Sequence, residues 1–180
     1  MIIETLKNGE QIHIRSIALS DASLRHKFFY ELTLAQVGMV HTVDEIDIHA
    51  DESYEHISDF LRNKKGLWLI AINQNGDIIG EVDITIKNLI RVRHNGNLTI
   101  GVLPQYQNLG LGTALIRLAL KWAKAVGLFR VELSVFQSNT AAIRLYEKNG
   151  FLVEGVRKKF LRTLGPTEAF IDDILMAHYL

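Results

Sequence analysis

The stretch Thr99-Ile100-Gly101-Val102-Leu103-Pro104-Gln105-Tyr106-Gln107-Asn108-Leu109-Gly110-Leu111-Gly112-Thr113 constrains the fold most. Leu98, Ile100 and Val102 share one face and Asn97, Thr99 and Gly101 the other, which predicts a strand over Asn97–Leu103. Pro104 has no N–H and cannot continue a central ladder. A helix is predicted over Gly110–Val126, where Leu111, Leu115, Leu118, Trp122 and Val126 recur every three or four residues. Glycine weakens a helix, so two glycines at its first turn need another reason. They supply φ freedom and leave no Cβ to block a ligand. The first turn also offers unpaired N–H groups and the positive end of the helix dipole, the parts of an anion cradle. Gln107 can add a neutral amide donor at its rim. No Gly-Lys-Ser/Thr follows, so this is not a P-loop, and two glycines after a proline make a poor dinucleotide fingerprint.

A second motif follows: Val135-Phe136-Gln137-Ser138-Asn139-Thr140-Ala141-Ala142-Ile143-Arg144-Leu145-Tyr146-Glu147-Lys148-Asn149-Gly150-Phe151. Asn139 is placed to cap a helix over Thr140–Lys148, with Gly150 as its stop. Ala142 and Tyr146, four apart, share a face. Ala142 leaves room for a close approach, and Tyr146 then points at whatever approaches.

These two motifs carry a resemblance. A Gln-x-x-Gly-x-Gly loop after a strand, with the Asn…Ala-Ile-x-Leu-Tyr-Glu-Lys-x-Gly-Phe helix 32 residues further on, resembles the GNAT superfamily of N-acetyltransferases. The likeness is strongest over Ile78 to Gly155. It implies a soluble enzyme that takes acetyl-CoA as donor and releases CoA. By the resemblance, main-chain groups at Ile100 and Val102 pair with the pantetheine arm. The N–H groups of Gln107, Asn108, Leu109, Gly110, Leu111, Gly112 and Thr113 hold the pyrophosphate. Asn139 touches the pantetheine or the attacking side, Ala142 lets the cofactor approach, and Tyr146 sits by the sulfur. The superfamily often has Arg where Gln107 stands; here that charge is absent, while the amide cradle is kept.

Acetyl transfer to an amine needs a neutral nucleophile, a proton acceptor, donors for the developing oxyanion and an acid for the leaving thiolate. Tyr146 is the candidate acid. Glu81, on a strand predicted over Ile78–Lys87, is the favoured proton acceptor. His94 comes next, and Asp83, on the same face as Glu81 by period two, and Glu132, acting through water, are further candidates; a route through ordered water with no dedicated side chain is also open. The remaining histidines show no ligand spacing, and no metal site is expected.

The rest of the chain predicts strands over Ile12–Ile17, Leu67–Asn73, Phe129–Val135, Phe151–Phe160 and Ala169–Tyr179. Helices are predicted from Ser20 or Asp21 to Phe29 and from Asp51 onward, with Tyr54, Ile57, Phe60 and Leu61 apolar; Ala35 to Ala50 reads as irregular. Asn75-Gly76 turns a hairpin, and Gly165-Pro166 turns another. With the resemblance, this order implies a single α/β (α+β) domain over residues 1–180. Its expected form is a three-layer α/β/α sandwich whose mixed, mostly antiparallel sheet splays at the cofactor strand.

Composition excludes several classes. With no cysteine there are no disulfides, thiol nucleophiles or Cys-based metal sites. Twenty Lys plus Arg balance twenty Asp plus Glu, and no basic stripe suggests nucleic acid. No apolar run is long enough for a membrane span, and the first residues do not read as a signal peptide, so the cytoplasm is expected. Phe28 to Leu61 carries eight acids and no Lys or Arg, at the place where the superfamily builds its acceptor wall. A cationic acceptor follows as an expectation, such as a polyamine, an aminoglycoside or a basic peptide terminus: a small-molecule amine or a peptide amine, including a protein N-terminus of the ribosomal-protein kind. The resemblance also implies a homodimer. Rival readings are an acyl-CoA-binding regulatory module without turnover and a nucleotide-binding protein of another class.

Overall fold

A computed structural model describes residues 1–35, 38–46, 51–163 and 169–180. Among the described residues eight strands form one sheet: β1 (Ile2–Thr5), β2 (Gln11–Ser16), β3 (Gly66–Ile72), β4 (Ile78–Ile86), β5 (Asn95–Val102), β6 (Arg130–Phe136), β7 (Leu152–Arg162) and β8 (Phe170–Tyr179). Their spatial order is β1-β2-β3-β4-β5-β6-β8-β7. The pair β5–β6 is parallel, and the other six pairings are antiparallel. Helices α1 (Ala22–Leu34), α2 (Asp51–Arg62), α3 (Leu111–Ala125) and α4 (Thr140–Lys148) complete the fold.

Two apolar cores lie on opposite faces of the sheet. Under α3 and α4 sit Val82, Ile84, Leu98, Leu111, Leu115, Ile116, Val131, Leu133, Tyr146 and Phe151. Under α1 and α2 sit Phe28, Leu32, Ile57, Phe60, Trp68 and Ile70. In α2 the buried positions are Ser53, Ile57 and Phe60, one face at spacings of four and three. Tyr54 and Leu61, expected on that face, are exposed. In α3 the buried stripe is Leu111, Leu115, Ile116, Ala119 and Ala123, rotated from the predicted one, and Val126 is exposed. Small side chains are used there because the helix lies close to the sheet: a Cβ on Gly80 would stand 3.2 Å from Leu111 and 3.3 Å from Leu115.

β1 has no counterpart among the predicted strands, and α1 runs five residues past the predicted end at Phe29. Asp21 does not cap α1 with its side chain. Its carboxylate takes two 2.7 Å bonds from Arg15 and one of 2.8 Å from the Ala18 N–H, tying β2 to the helix start. The predicted Gly165-Pro166 turn, like part of the stretch from Ala35 to Ala50, lies outside the described residues.

Candidate active site

β5 and β6 pair only at Asn95↔Arg130, Gly96↔Val131 and Asn97↔Glu132. Beyond that point the two strands run on to Val102 and Phe136 with no ladder between them. On the other side β5 stays paired to β4 as far as Gly80↔Val102, and the Leu103 N–H donates to the Ile79 carbonyl at 3.1 Å. Main-chain groups alternate sides along a strand, so Ile100 and Val102 turn theirs toward the gap. The gap is a cleft of about 670 Å³. Both faces of β5 line it, since Asn97, Thr99 and Gly101 contribute as well as Leu98, Ile100 and Val102.

Where β5 ends, the chain makes a short 3-10 turn over Pro104–Tyr106, and Asn108 (φ +60°) and Gly110 (φ +94°) curl it into the start of α3. A Cβ on Gly110 would meet nothing within 4 Å, so this position opens into the cleft; its requirement for glycine is the backbone angle. Gly112 has a different reason, because a Cβ there would stand 2.9 Å from Leu145 of α4. Gln107, Asn108, Gly110, Gly112 and Thr113 line the cleft. Leu109 and Leu111 do not. The Leu111 side chain is fully buried, and the Leu109 carbonyl accepts from the Lys7 N–H at 3.0 Å. Gln107 turns back: its Nε2 donates to the Val102 carbonyl at 3.0 Å, closing off one of the main-chain groups at the strand end.

From the β6 side, Asn139 caps α4 through a 3.1 Å bond from the Ala142 N–H to its Oδ1. Asn139, Ala142 and Tyr146 all face the cleft. Tyr146 is buried, which pushes its phenol up to about 12 and keeps it protonated near neutral pH. Its hydroxyl makes no hydrogen bond among the described residues, and its ring packs on Phe151 at 5.8 Å.

The two carboxylates on β4 have different surroundings. Glu81 is buried beneath α1, where its Oε2 accepts from Arg25 Nε at 3.4 Å and from Trp68 Nε1 at 3.1 Å. Arg25 also lies over the Trp68 ring at 5.0 Å. Glu81 is thus a structural partner and does not line the cleft, contrary to the expectation that it is the proton acceptor. Asp83 sits opposite Thr99, its partner across β4–β5, and accepts a hydrogen bond from the Thr85 hydroxyl at 3.2 Å. Burial, then the negative charge of Glu81, pushes the Asp83 carboxyl up to about 7. Thr99 lines the cleft and is the cross-strand neighbour of Asp83, which does not line it. His94 is also corrected. It is exposed before β5 begins, against Phe129, where β5 and β6 are still paired. At about 3.4 Å per residue it lies roughly 20 Å from Ile100. Glu132 pairs with Arg130 at 3.1 Å and does not line the cleft.

Other lining residues had no sequence signal. Lys7 comes from the turn after β1, and Arg144 and Lys148 from α4. Leu32, Gly38, Met39 and Val40 are what the described part of the acid-rich stretch contributes, and all four are uncharged. Ser134, Phe136, Phe160 and Asp173 form the far wall. Asp173 could have been noticed, since its same-face neighbours by period two are Ile171, Leu175 and Ala177.

Residues 29–151 match the model of the acetyltransferase (GNAT) family. The chain belongs to the GNAT acetyltransferase family. The L-amino acid N-acetyltransferase AaaT of Escherichia coli (strain K12) is 30% identical over 121 residues, 65% of this chain and 71% of that one. A GNAT-family acetyltransferase from Streptococcus pneumoniae superposes with a TM-score of 0.84 at 32% identity, covering 94% of this chain and 99% of that one. A GNAT phosphinothricin acetyltransferase from Sinorhizobium meliloti, solved in complex with acetyl-CoA, shares the fold at 19% identity with a TM-score of 0.81, covering 94% and 88%. This GNAT chain is an acetyl-CoA-dependent N-acetyltransferase by class, and its sheet has the splay expected of the three-layer fold.

Proposed function

We propose that the cleft between β5 and β6 binds acetyl-CoA, and that Asp83, Thr99 and Tyr146 handle the protons of acetyl transfer to a primary amine of a small molecule or peptide. The observation that carries this reading is the end of the ladder at Asn97↔Glu132, directly below a helix start with free N–H groups. The residues fit the group. The Ile100 main chain faces the gap, Gly110 opens into it, and the N–H groups of Leu111, Gly112 and Thr113 belong to the first turn of α3. Lys7, Arg144 and Lys148 put positive charge on the same lining, offsetting the uncharged Gln107. The N–H groups from Gln107 to Thr113 would hold the pyrophosphate, with Leu109 and Leu111 taking part through main chain alone. Asn139 and Ala142 would flank the pantetheine arm.

When bound, the donor supplies an activated acetyl thioester. The chain's own residues then have two proton tasks. The Thr99 hydroxyl accepts the proton of the attacking amine as it passes its own to Asp83, and Tyr146 protonates the departing thiolate. Tyr146 is suited to the second task because burial keeps its hydroxyl protonated. Asp83 is suited to the first because a carboxyl poised at about 7 accepts a proton with little mismatch near neutral pH.

The test is calorimetric titration with CoA and acetyl-CoA, followed by thiol release across a panel of primary amines. No binding of either ligand would end the reading. Binding without turnover on any amine would favour a regulatory module.

A further inference from the structure

The charges on the cleft wall are sorted. Among the described lining residues, the cations Lys7, Arg144 and Lys148 gather with the α3 and α4 elements, and Asp173 is the one acid. It stands on β8 opposite Phe136 of β6, with Ser134 and Phe160 beside it. Asp173 is 1% exposed. Its Oδ2 takes both bonds from Arg157, one from Nε at 2.9 Å and one from Nη2. The same Nη2 donates to Ser134 Oγ at 3.1 Å. Oδ1, by contrast, has no hydrogen-bond partner among the described residues. A buried carboxylate oxygen left without a donor is costly and is rarely kept without one.

The surroundings of Oδ1 narrow what that donor can be. Phe136 and Phe160 stand 6.5 Å apart between ring centroids, and the Arg157 guanidinium lies 4.0 Å over Phe160. Apolar Leu32, Met39 and Val40 complete the lining on the α1 side. This corner has aromatic walls that tolerate a cation, an apolar approach and one unfilled acceptor. Arg157 already occupies the site's need for charge on Oδ2, so a further carboxylate from a ligand would meet Asp173 unfavourably. An ammonium would supply the donor that Oδ1, unpartnered among the described residues and closed to solvent, lacks.

We propose that the corner formed by Ser134, Phe136, Phe160 and Asp173 binds an ammonium group of the acceptor other than the nitrogen that is acetylated, which makes the preferred acceptor an aliphatic diamine or polyamine. This rests on the reading of the cleft as an acetyl-transfer site and names its substrate class. Chemistry favours the non-reacting nitrogen: a carboxylate stabilises the ammonium form, and the attacking amine must be neutral. Asp173 is therefore a specificity residue, positioned by Arg157, and takes no proton from the reaction.

The experiment compares diaminobutane with butylamine, at saturating acetyl-CoA, in the wild-type protein and in Asp173→Asn. The wild type is expected to prefer the diamine in kcat/KM by tenfold or more. In D173N that preference falls to near unity through a rise in diamine KM, while kcat, the butylamine KM and CoA affinity by calorimetry stay within about twofold. Phe160→Ala leaves the Arg157–Asp173 pair in place and should weaken the diamine preference on its own, so it carries the test if D173N does not fold. Equal use of the two amines by the wild type would overturn the proposal, and so would an undiminished preference in both variants. Either result leaves acetylation of butylamine and CoA binding intact, which separates this failure from a failure of the acetyl-transfer reading.

Discussion

Replacing Asp83 with asparagine tests both the stability and the chemistry assigned to this carboxyl. Its folded-state value of about 7 lies above the ordinary value of 3.8, chiefly because burial disfavours the charged form. A group with a raised pKa holds a proton in the folded chain that the unfolded chain has already released. Between the two values the folded state binds more protons, so stability falls as pH rises through that window and levels off above about 7. Each unit is worth about 1.4 kcal/mol, so the whole shift corresponds to at most about 4 kcal/mol, of which about 3 kcal/mol is lost between pH 5 and pH 8. The amide introduced by Asp83→Asn does not titrate, and it can still accept the bond from Thr85. Urea unfolding at the two pH values should therefore show D83N gaining on the wild type by up to about 3 kcal/mol on going from pH 5 to pH 8. The rate should follow the same group. At saturating acceptor, wild-type kcat should carry a limb near pH 7, an extra factor of about tenfold per unit below that value on top of the rise due to the amine, as expected for an essential base. In D83N the rate should drop by about 100-fold or more and this limb should vanish, leaving the shared limb of the amine near pH 10. A stability difference that does not change with pH would refute the burial argument. An unchanged limb near 7 in the variant would refute the assignment of Asp83 as base.

Other outcomes follow from the same geometry. Glu81→Gln leaves the buried Arg25 without a counter-charge and should cost about 3 kcal/mol in urea unfolding. Its rate per folded molecule should be kept, with the acidic limb moved to lower pH because Glu81 helps to raise Asp83. Tyr146→Phe should lower kcat by about 10- to 100-fold. The melting temperature should stay the same or rise slightly, since the hydroxyl has no hydrogen-bond partner among the described residues and its ring contact with Phe151 is kept. Gly66→Ala would place a Cβ 1.9 Å from the Ile84 carbonyl oxygen at φ +150°. A loss of more than about 3 kcal/mol, or no soluble protein, is expected, and wild-type-like unfolding would show that the β3–β4 pairing is looser than its register implies.

The features legible in the sequence are those held by local chemistry. Helix α4 has its predicted bounds because the Asn139 cap at one end and the positive-φ Gly150 at the other act within a few residues. The two faces of β5 were readable because alternation is intrinsic to a strand. The break before α3 was readable because Pro104 fixes its own φ and Gly110 takes a positive φ without strain. What could not be read depends on neighbours far along the chain. Glu81 and Asp83 present the same pattern in sequence, two acids on one face of one strand. One is neutralised by Arg25, 56 positions away, and the other is left beside Thr99. Lys7 reaches the cleft because its N–H meets Leu109. Asp173 reaches it because β8 inserts between β6 and β7, an order that no periodicity encodes. Alternation tells which acids share a face with the cleft. Only the position of a cation beside each decides which of them keeps an oxygen free for chemistry, so the assignment of a base in such a sheet has to begin with the arginines.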